Sequence, residues 1–149
     1  MYFVDRKLLE KRLQYLEGLS RAFSQQEHWK TTIDKLALER ITHMTIEAII
    51  DVGNQLIDGF IMRDPGSYDD VIDILVDERV IPKSDEASFK DIIALRKSLL
   101  QNYTDLNYDE IYKNFHKEIE TIESFPGKVR TYIENELGPV SAFLPDRDK

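Results

Sequence analysis

An arginine stands inside an apolar helical run, followed at short intervals by an amide and a phenol: Arg96-Lys-Ser-Leu-Leu-Gln101-Asn-Tyr103. At about 100° per residue, Phe89, Ile92, Ile93, Leu99, Leu100 and Tyr103 all fall within about 60° of Arg96. The guanidinium therefore points where a core side chain is expected. It cannot shed its charge, and desolvating an unpaired charge costs several kcal/mol. It must meet an acid on a neighbouring helix, a partner subunit or an anionic ligand. Gln101 can hydrogen-bond a phosphate oxygen, but it exchanges no proton near neutral pH and so cannot act as a general acid or base. On a regular helix it also lies about 140° round from Arg96. Tyr103, about 20° from Arg96 on the same wheel, reads as a rim aromatic with a buried ring and a wet hydroxyl.

A second set of polar residues lies on one stripe of a long helical segment: Arg40, His43, Glu47, Asp51, Asn54 and Asp58. The ordinary reading is a solvated face. The His43-X3-Glu47-X3-Asp51 spacing could present three ligands to a divalent metal, yet such steps arise on many wet faces, and no metal is expected. Glu47 or Asp51 could instead turn inward, pair with Arg96 and line a polar cleft. His116 could approach that cleft from the following helix, although a lone histidine on an amphipathic helix is usually a surface residue. His28 lies outside both sets.

The segments that must position these residues are helical. Asp5 to Phe23 repeats Leu9, Leu13, Leu16 and Phe23 on one side, and Ser24-Gln-Gln-Glu27 has the spacing of a capping box that could open a new turn. Thr32 to Phe60 is the longest periodic stretch, with Leu38, Ile41, Thr45, Ala48, Ile49, Val52 and Leu56 as its apolar side; Gly59 and Asp64-Pro65-Gly66 end it. Ser67 with Asp70 caps a shorter helix. Ser84 or Asp85 starts the helix carrying Arg96, and Asn107 with Glu110 caps the next, on which Ile111, Phe115, Ile119 and Ile122 share a face. Pro126-Gly127 should break that helix, leaving a last one over Lys128 to Leu137. No segment alternates as a strand would. The fold class expected is all-α, an antiparallel bundle of four to six helices, with residues 1–138 as a single domain and 139–149 as a flexible tail.

A chain of 149 residues removes roughly two thirds of its unfolded surface from water on folding. It has no cysteine, so disulfides and thiolate metal sites are excluded. The N-terminus becomes charged by its fifth residue and lacks the apolar core of a secretion signal. No run approaches a membrane span, so a soluble cytoplasmic protein is expected. A net charge of −8 and an isoelectric point near 4.9 argue against broad attraction to nucleic acid, which requires many phosphates to be neutralised by Lys and Arg. Any contact with RNA must be local, around Lys90, Arg96 and Lys97.

The Arg-X4-Gln-X-Tyr segment at 96–103 resembles the Arg-X4-His-X-Tyr motif of HepT-like proteins, a branch of the HEPN superfamily of helical ribonucleases, with Gln101 where the family places its histidine. Leu38 to Asn54 resembles the family's long second helix, and Gly66 to Ile72 the opening of its third. The resemblance implies metal-independent RNA cleavage by a homodimer, without a cofactor, in which the arginine and histidine of two subunits meet across a cleft. Histidine suits proton transfer to and from the reacting oxygens, and arginine suits the charged phosphorane. With Gln101 in the histidine's place, catalysis should be weak or absent. The resemblance also implies that Tyr103 accepts AMP from a minimal nucleotidyltransferase acting as antitoxin. Two other readings stay open: a non-catalytic dimeric interaction module partnered with such a nucleotidyltransferase, and a helical scaffold in which Arg96 is simply salt-bridged.

Overall fold

The computed structural model describes residues 3–137, so the expectation of a flexible tail over 139–149 lies outside the described residues. Five α-helices follow in order: α1 (Arg6–Gln25), α2 (Thr32–Gly59), α3 (Tyr68–Asp77), α4 (Glu86–Gln101) and α5 (Tyr108–Leu137), with a single 3-10 turn at Lys83–Asp85 leading into α4. Helix α2 packs against each of the other four. Its apolar side is the one expected: Leu38, Ile41, Thr45, Ala48, Ile49, Val52 and Leu56 are all buried. Among the described residues no helix is long and apolar enough to cross a membrane.

Local hydrogen bonds fix the helix starts. The backbone N–H groups of Leu8, Asp70 and Glu110 donate to the side chains of Asp5, Ser67 and Asn107 at 3.0, 3.1 and 3.1 Å, each meeting a donor that the first helical turn leaves unpaired. The expected start at Ser24 does not occur. Helix α1 runs on to Gln25, and the capping box is Thr31 with Asp34, whose side chains and backbone N–H groups bond reciprocally at 3.0 Å. The intervening segment is held by Trp29, which stacks on Phe23 with ring centres 5.5 Å apart.

Helix α5 does not break at Pro126-Gly127. It continues to Leu137 with Pro126 inside it. The proline removes one backbone hydrogen bond and crowds the preceding turn, at about 3 kcal/mol. Against this, Ile122, Phe125, Val129 and Ile133 are all at most 1% exposed, and each such side chain contributes about 1.5–3 kcal/mol by leaving water. Beyond the proline, Arg130 clamps α5 to α1 through both Glu10 and Glu17, with four bonds of 2.8–3.0 Å. Packing on both sides of the proline thus outweighs the local defect.

The apolar stripe around Arg96 is also placed differently from its expected setting. Phe89, Ile92, Ile93 and Leu99 are buried within the same chain, as is Leu95, whereas Leu100 is 42% and Tyr103 64% exposed. A partner is therefore not required to cover that stripe. Tyr103 follows the end of α4 at Gln101, so the helical wheel does not set its direction.

Gly59 is needed for close approach, not for a left-handed turn. Its carbonyl accepts from the Phe3 N–H at 3.0 Å, and a Cβ placed there would lie 2.5 Å from the Phe3 carbonyl oxygen and 2.6 Å from Val4 Cγ2. The left-handed residue after α2 is Ile61, at φ 55°, with Met62 N–H closing on the Ile57 carbonyl at 2.9 Å. Glycine usually fills this position, and a branched side chain in that conformation costs roughly 1–2 kcal/mol. Ile61 is 70% exposed, so little burial compensates. Ile61→Gly should stabilise the fold by about 1 kcal/mol, a rise in Tm of roughly 3 °C, while Gly59→Ala should lower Tm. Thermal denaturation followed by circular dichroism checks both; an unchanged or lowered Tm for Ile61→Gly would contradict the strain at that residue.

Candidate functional site

Three helices meet where the two polar sets of the sequence come together. Glu47 projects from α2, Arg96 from α4, and Tyr68 is the first residue of α3, presented there by the Ser67 cap. Arg96 Nε donates to Glu47 Oε1 at 2.9 Å. The Tyr68 hydroxyl donates to the other carboxylate oxygen, Oε2, at 3.0 Å. The guanidinium carbon lies over the Tyr68 ring, 4.4 Å from its centre, within the range of a cation–π contact. His43, one turn before Glu47, brings Nε2 to 3.5 Å from Oε1.

Burial pushes the Glu47 carboxyl up, but hydrogen bonds from Arg96 and Tyr68 and the charge of Arg96 outweigh it, so the group is held below the usual carboxylate range and stays ionised. Burial and the bond to Glu47 raise the Tyr68 hydroxyl, which keeps it a neutral donor. The Glu47 hydrogen bond raises Arg96 further. Glu47 is thus fully engaged, with a donor on each oxygen. Arg96 makes this bond through Nε alone, and its side chain is 38% exposed. Its two terminal nitrogens lie outside that ion pair and remain capable of meeting an anion bidentately.

The structure brings together only part of the expected set. Of the two acids, Glu47 pairs with Arg96; Asp51 is exposed and acts at a distance, its charge helping to raise Tyr68. Gln101 is the last residue of α4 and exposed, and Tyr103 sits exposed in the turn before α5. His116 stacks on Tyr112 with ring centres 5.6 Å apart. Lys90 does not contribute a free charge to a basic patch: its ammonium bonds Asp73 at 2.6 Å, with Glu86 at 3.9 Å. Lys97 is exposed. Among the described residues no three His, Asp or Glu side chains converge as a metal site. Tyr68 is the member that sequence reasoning missed. The signal was present in its place directly after a capping serine, but its target, Glu47, lies 21 positions away.

Comparison with known proteins gives this geometry a context. The profile of the family "Ribonuclease HepT-like" matches residues 9–129. The chain is 49% identical over 143 residues to "Putative RNase YutE" of Bacillus subtilis (strain 168), covering 96% of this chain and 99% of the relative. The solved structure of YutE, described as a cytosolic protein of unknown function, superposes with a TM-score of 0.91 over 96% of this chain and 100% of that one. A chain from a crystal structure of a toxin–antitoxin with AMP-PNP is 16% identical and shares the fold, with a TM-score of 0.71 over 81% of this chain and 96% of that one. The match spans the helices that carry Glu47, Tyr68 and Arg96, and the chain belongs to the HepT-like ribonuclease family.

Proposed function

We propose that this chain is an RNA-binding member of its family, of the toxin type and cytoplasmic, that acts as a homodimer and cleaves RNA weakly or not at all because Gln101 stands at the family's histidine position. The observation that carries this reading is the arginine held by Glu47 through Nε, a hydrogen bond that leaves its terminal nitrogens uncommitted to that carboxylate. Such a group suits a phosphodiester. In the cleavage reaction the RNA 2'-hydroxyl oxygen attacks the adjacent phosphorus and gives up its proton; the P–O5' bond breaks, the leaving oxygen gains a proton, and a cyclic phosphate remains. Arg96 would stabilise the charge on the phosphorane oxygens. Glu47 is a poor base for the first proton, since both oxygens already accept hydrogen bonds. Gln101 can move neither proton.

Gln101→His should therefore raise metal-independent cleavage of single-stranded RNA by roughly 10²- to 10⁴-fold, and adding Arg96→Ala should abolish the gain. A gel assay with a labelled oligonucleotide in EDTA measures it. Strong wild-type cleavage that survives Arg96→Ala would place the chemistry elsewhere.

Modification belongs to the same reading. Tyr103 is exposed and its phenol is open to a partner enzyme, so a minimal nucleotidyltransferase antitoxin with ATP should add AMP there. Intact-mass spectrometry should record AMP increments on wild type and none on Tyr103→Phe; the same adduct on both would remove Tyr103 from this role.

The dimer rests on apolar side chains left exposed at the start of α2 and the end of α4. Ile33 is 73% and Leu36 54% exposed on α2, and Leu100 and Tyr103 are exposed at the end of α4. Ile33, Leu36, Arg40, His43 and Glu47 follow one another at three- and four-residue steps, which is a single helix face. A two-fold interface over this face sets both arginines at a shared cleft, and each substitution acts twice. Light scattering at micromolar concentration should give a dimer, and Leu100→Glu, at an exposed position, should give a folded monomer. A wild-type monomer would favour the scaffold reading.

A further inference from the structure

At the end of the bundle away from Gly59, the segment between α1 and α2 faces the turn between α4 and α5 across an open cleft of about 710 Å³. That volume is within the usual range for a small-molecule site. Trp29, Tyr108 and Tyr112 line it, each held by neighbouring side chains, Tyr112 by Phe23 at 5.6 Å among them. Trp29 stacks on Phe23 at 5.5 Å and Tyr112 on His116 at 5.6 Å; the Tyr108 hydroxyl donates to Glu39 at 2.7 Å, with the Lys35 ammonium 5.4 Å from its ring centre. The Trp29 indole N–H is buried and meets no acceptor among the described residues. Such a donor is uncommon and calls for an explanation.

The charges round the cleft select against several ligands. Lys30 and Lys35 are set against Glu27, Asp105 and Asp109, so there is no positive field to hold a bare phosphate or an acidic peptide. A flat, neutral heterocycle with donors and acceptors on its edge suits both the rings and this mixture. Unpaired nucleobases are recognised in that way, by stacking on aromatic side chains and hydrogen bonding along the edge. The cleft is also joined to the Arg96 site by continuous structure. Lys35 and Glu47 are separated along α2 by about 18 Å of helix rise, and α4 with its following turn runs from Arg96 past Tyr103 to Asp105.

We propose that this cleft is a second RNA subsite, separate from the Arg96 junction, which holds one unpaired nucleobase of a single strand against Trp29 and Tyr112. It rests on the reading that this chain binds RNA, and it adds how a protein of net charge −8 would grip a strand: by stacking at one point, not by tracking phosphates. Trp29 is the chain's one tryptophan, so fluorescence excited selectively at tryptophan reports on this cleft alone. A single-stranded RNA hexamer should quench it saturably in wild type and reach the same final quench in Arg96→Ala at a higher RNA concentration, while inorganic phosphate leaves it unchanged. Tyr112→Leu, shown folded by circular dichroism, should weaken the quench at least about fivefold, the low end of what loss of one stacking partner gives. Should that variant fail to fold, Trp29→Leu followed by anisotropy of labelled hexamer should show the same loss. A quench that is absent from Arg96→Ala even where anisotropy shows the hexamer bound, or a hexamer that binds wild type without altering Trp29, would overturn the subsite and leave the Arg96 reading standing. Quenching without any cleavage, even after Gln101→His, would do the reverse.

Discussion

A guanidinium keeps its proton wherever it is placed, and the junction of α2, α3 and α4 is built round that constraint. Arg96 lies on a helix whose other inward positions are Phe89, Ile92, Ile93, Leu95 and Leu99, all buried. Its charge needs a counterpart at the edge of this core, and Glu47 supplies one without taking the whole fork. Glu47 in turn is a half-buried carboxylate that a single donor would leave under-satisfied, so the Tyr68 hydroxyl completes it. One ionic requirement thus fixes the relation of three helices. Removing either partner would leave the other with less of its charge compensated, Arg96 turning to solvent and Glu47 to the Tyr68 hydroxyl alone.

The rest of the bundle holds that junction in place by ordinary means. Helix α2 contributes Leu38, Ile46, Ile49, Ile50, Val52, Leu56 and Ile57 to the core, each at most 1% exposed, so the helix bearing Glu47 cannot turn without exposing them. Gly53 allows α3 to approach: a Cβ there would lie 2.6 Å from Val71 Cγ1. That close approach sets the distance between the helix bearing Tyr68 and the one bearing Glu47. Farther off, the Arg130 clamp on Glu10 and Glu17 closes α5 against α1. The polar site is accordingly carried on helices, not on loops, which favours fixed geometry.

What was legible in the sequence follows from which interactions are local. Caps at Ser67 and Asn107 involve residues three apart, and the apolar side of α2 repeats with the helix period, so both could be read directly. The need of Arg96 for an acid, with Glu47 among the candidates, was also legible, because burying a charge has a cost that residue type alone reveals. Its degree of exposure was not, since periodicity gives the direction of a side chain and not how far the neighbouring helices extend over it. Pro126 misled for a related reason: the local penalty is visible in the residue, while the packing of Val129 and Ile133 and the grip of Arg130 come from contacts distant in sequence. Tyr68 and the spent charge of Lys90 likewise depend on which helices become neighbours. Gly59 was read as the end of the long helix, and α2 does end there; that the left-handed residue is Ile61 and that Gly59 serves close approach to the N-terminal segment was not legible.

The pairing of Arg96 with Glu47 bears on the rate of encounter as much as on strength of binding. A lone cation projects an attractive field over roughly a Debye length, about 8 Å at physiological salt. Here the carboxylate 2.9 Å away cancels most of that field beyond contact range, and the chain's net charge of −8 repels polyanions at long distance. An approaching phosphate is therefore not steered in; it feels the free edge of the guanidinium only after most intervening water has gone. Association with a polyanion should be slow and should quicken as added salt screens the repulsion, the reverse of the trend for strongly basic binders. Such a site distinguishes its ligand at close quarters, by shape and hydrogen bonds, and leaves the surrounding pool of nucleic acid largely uncaptured.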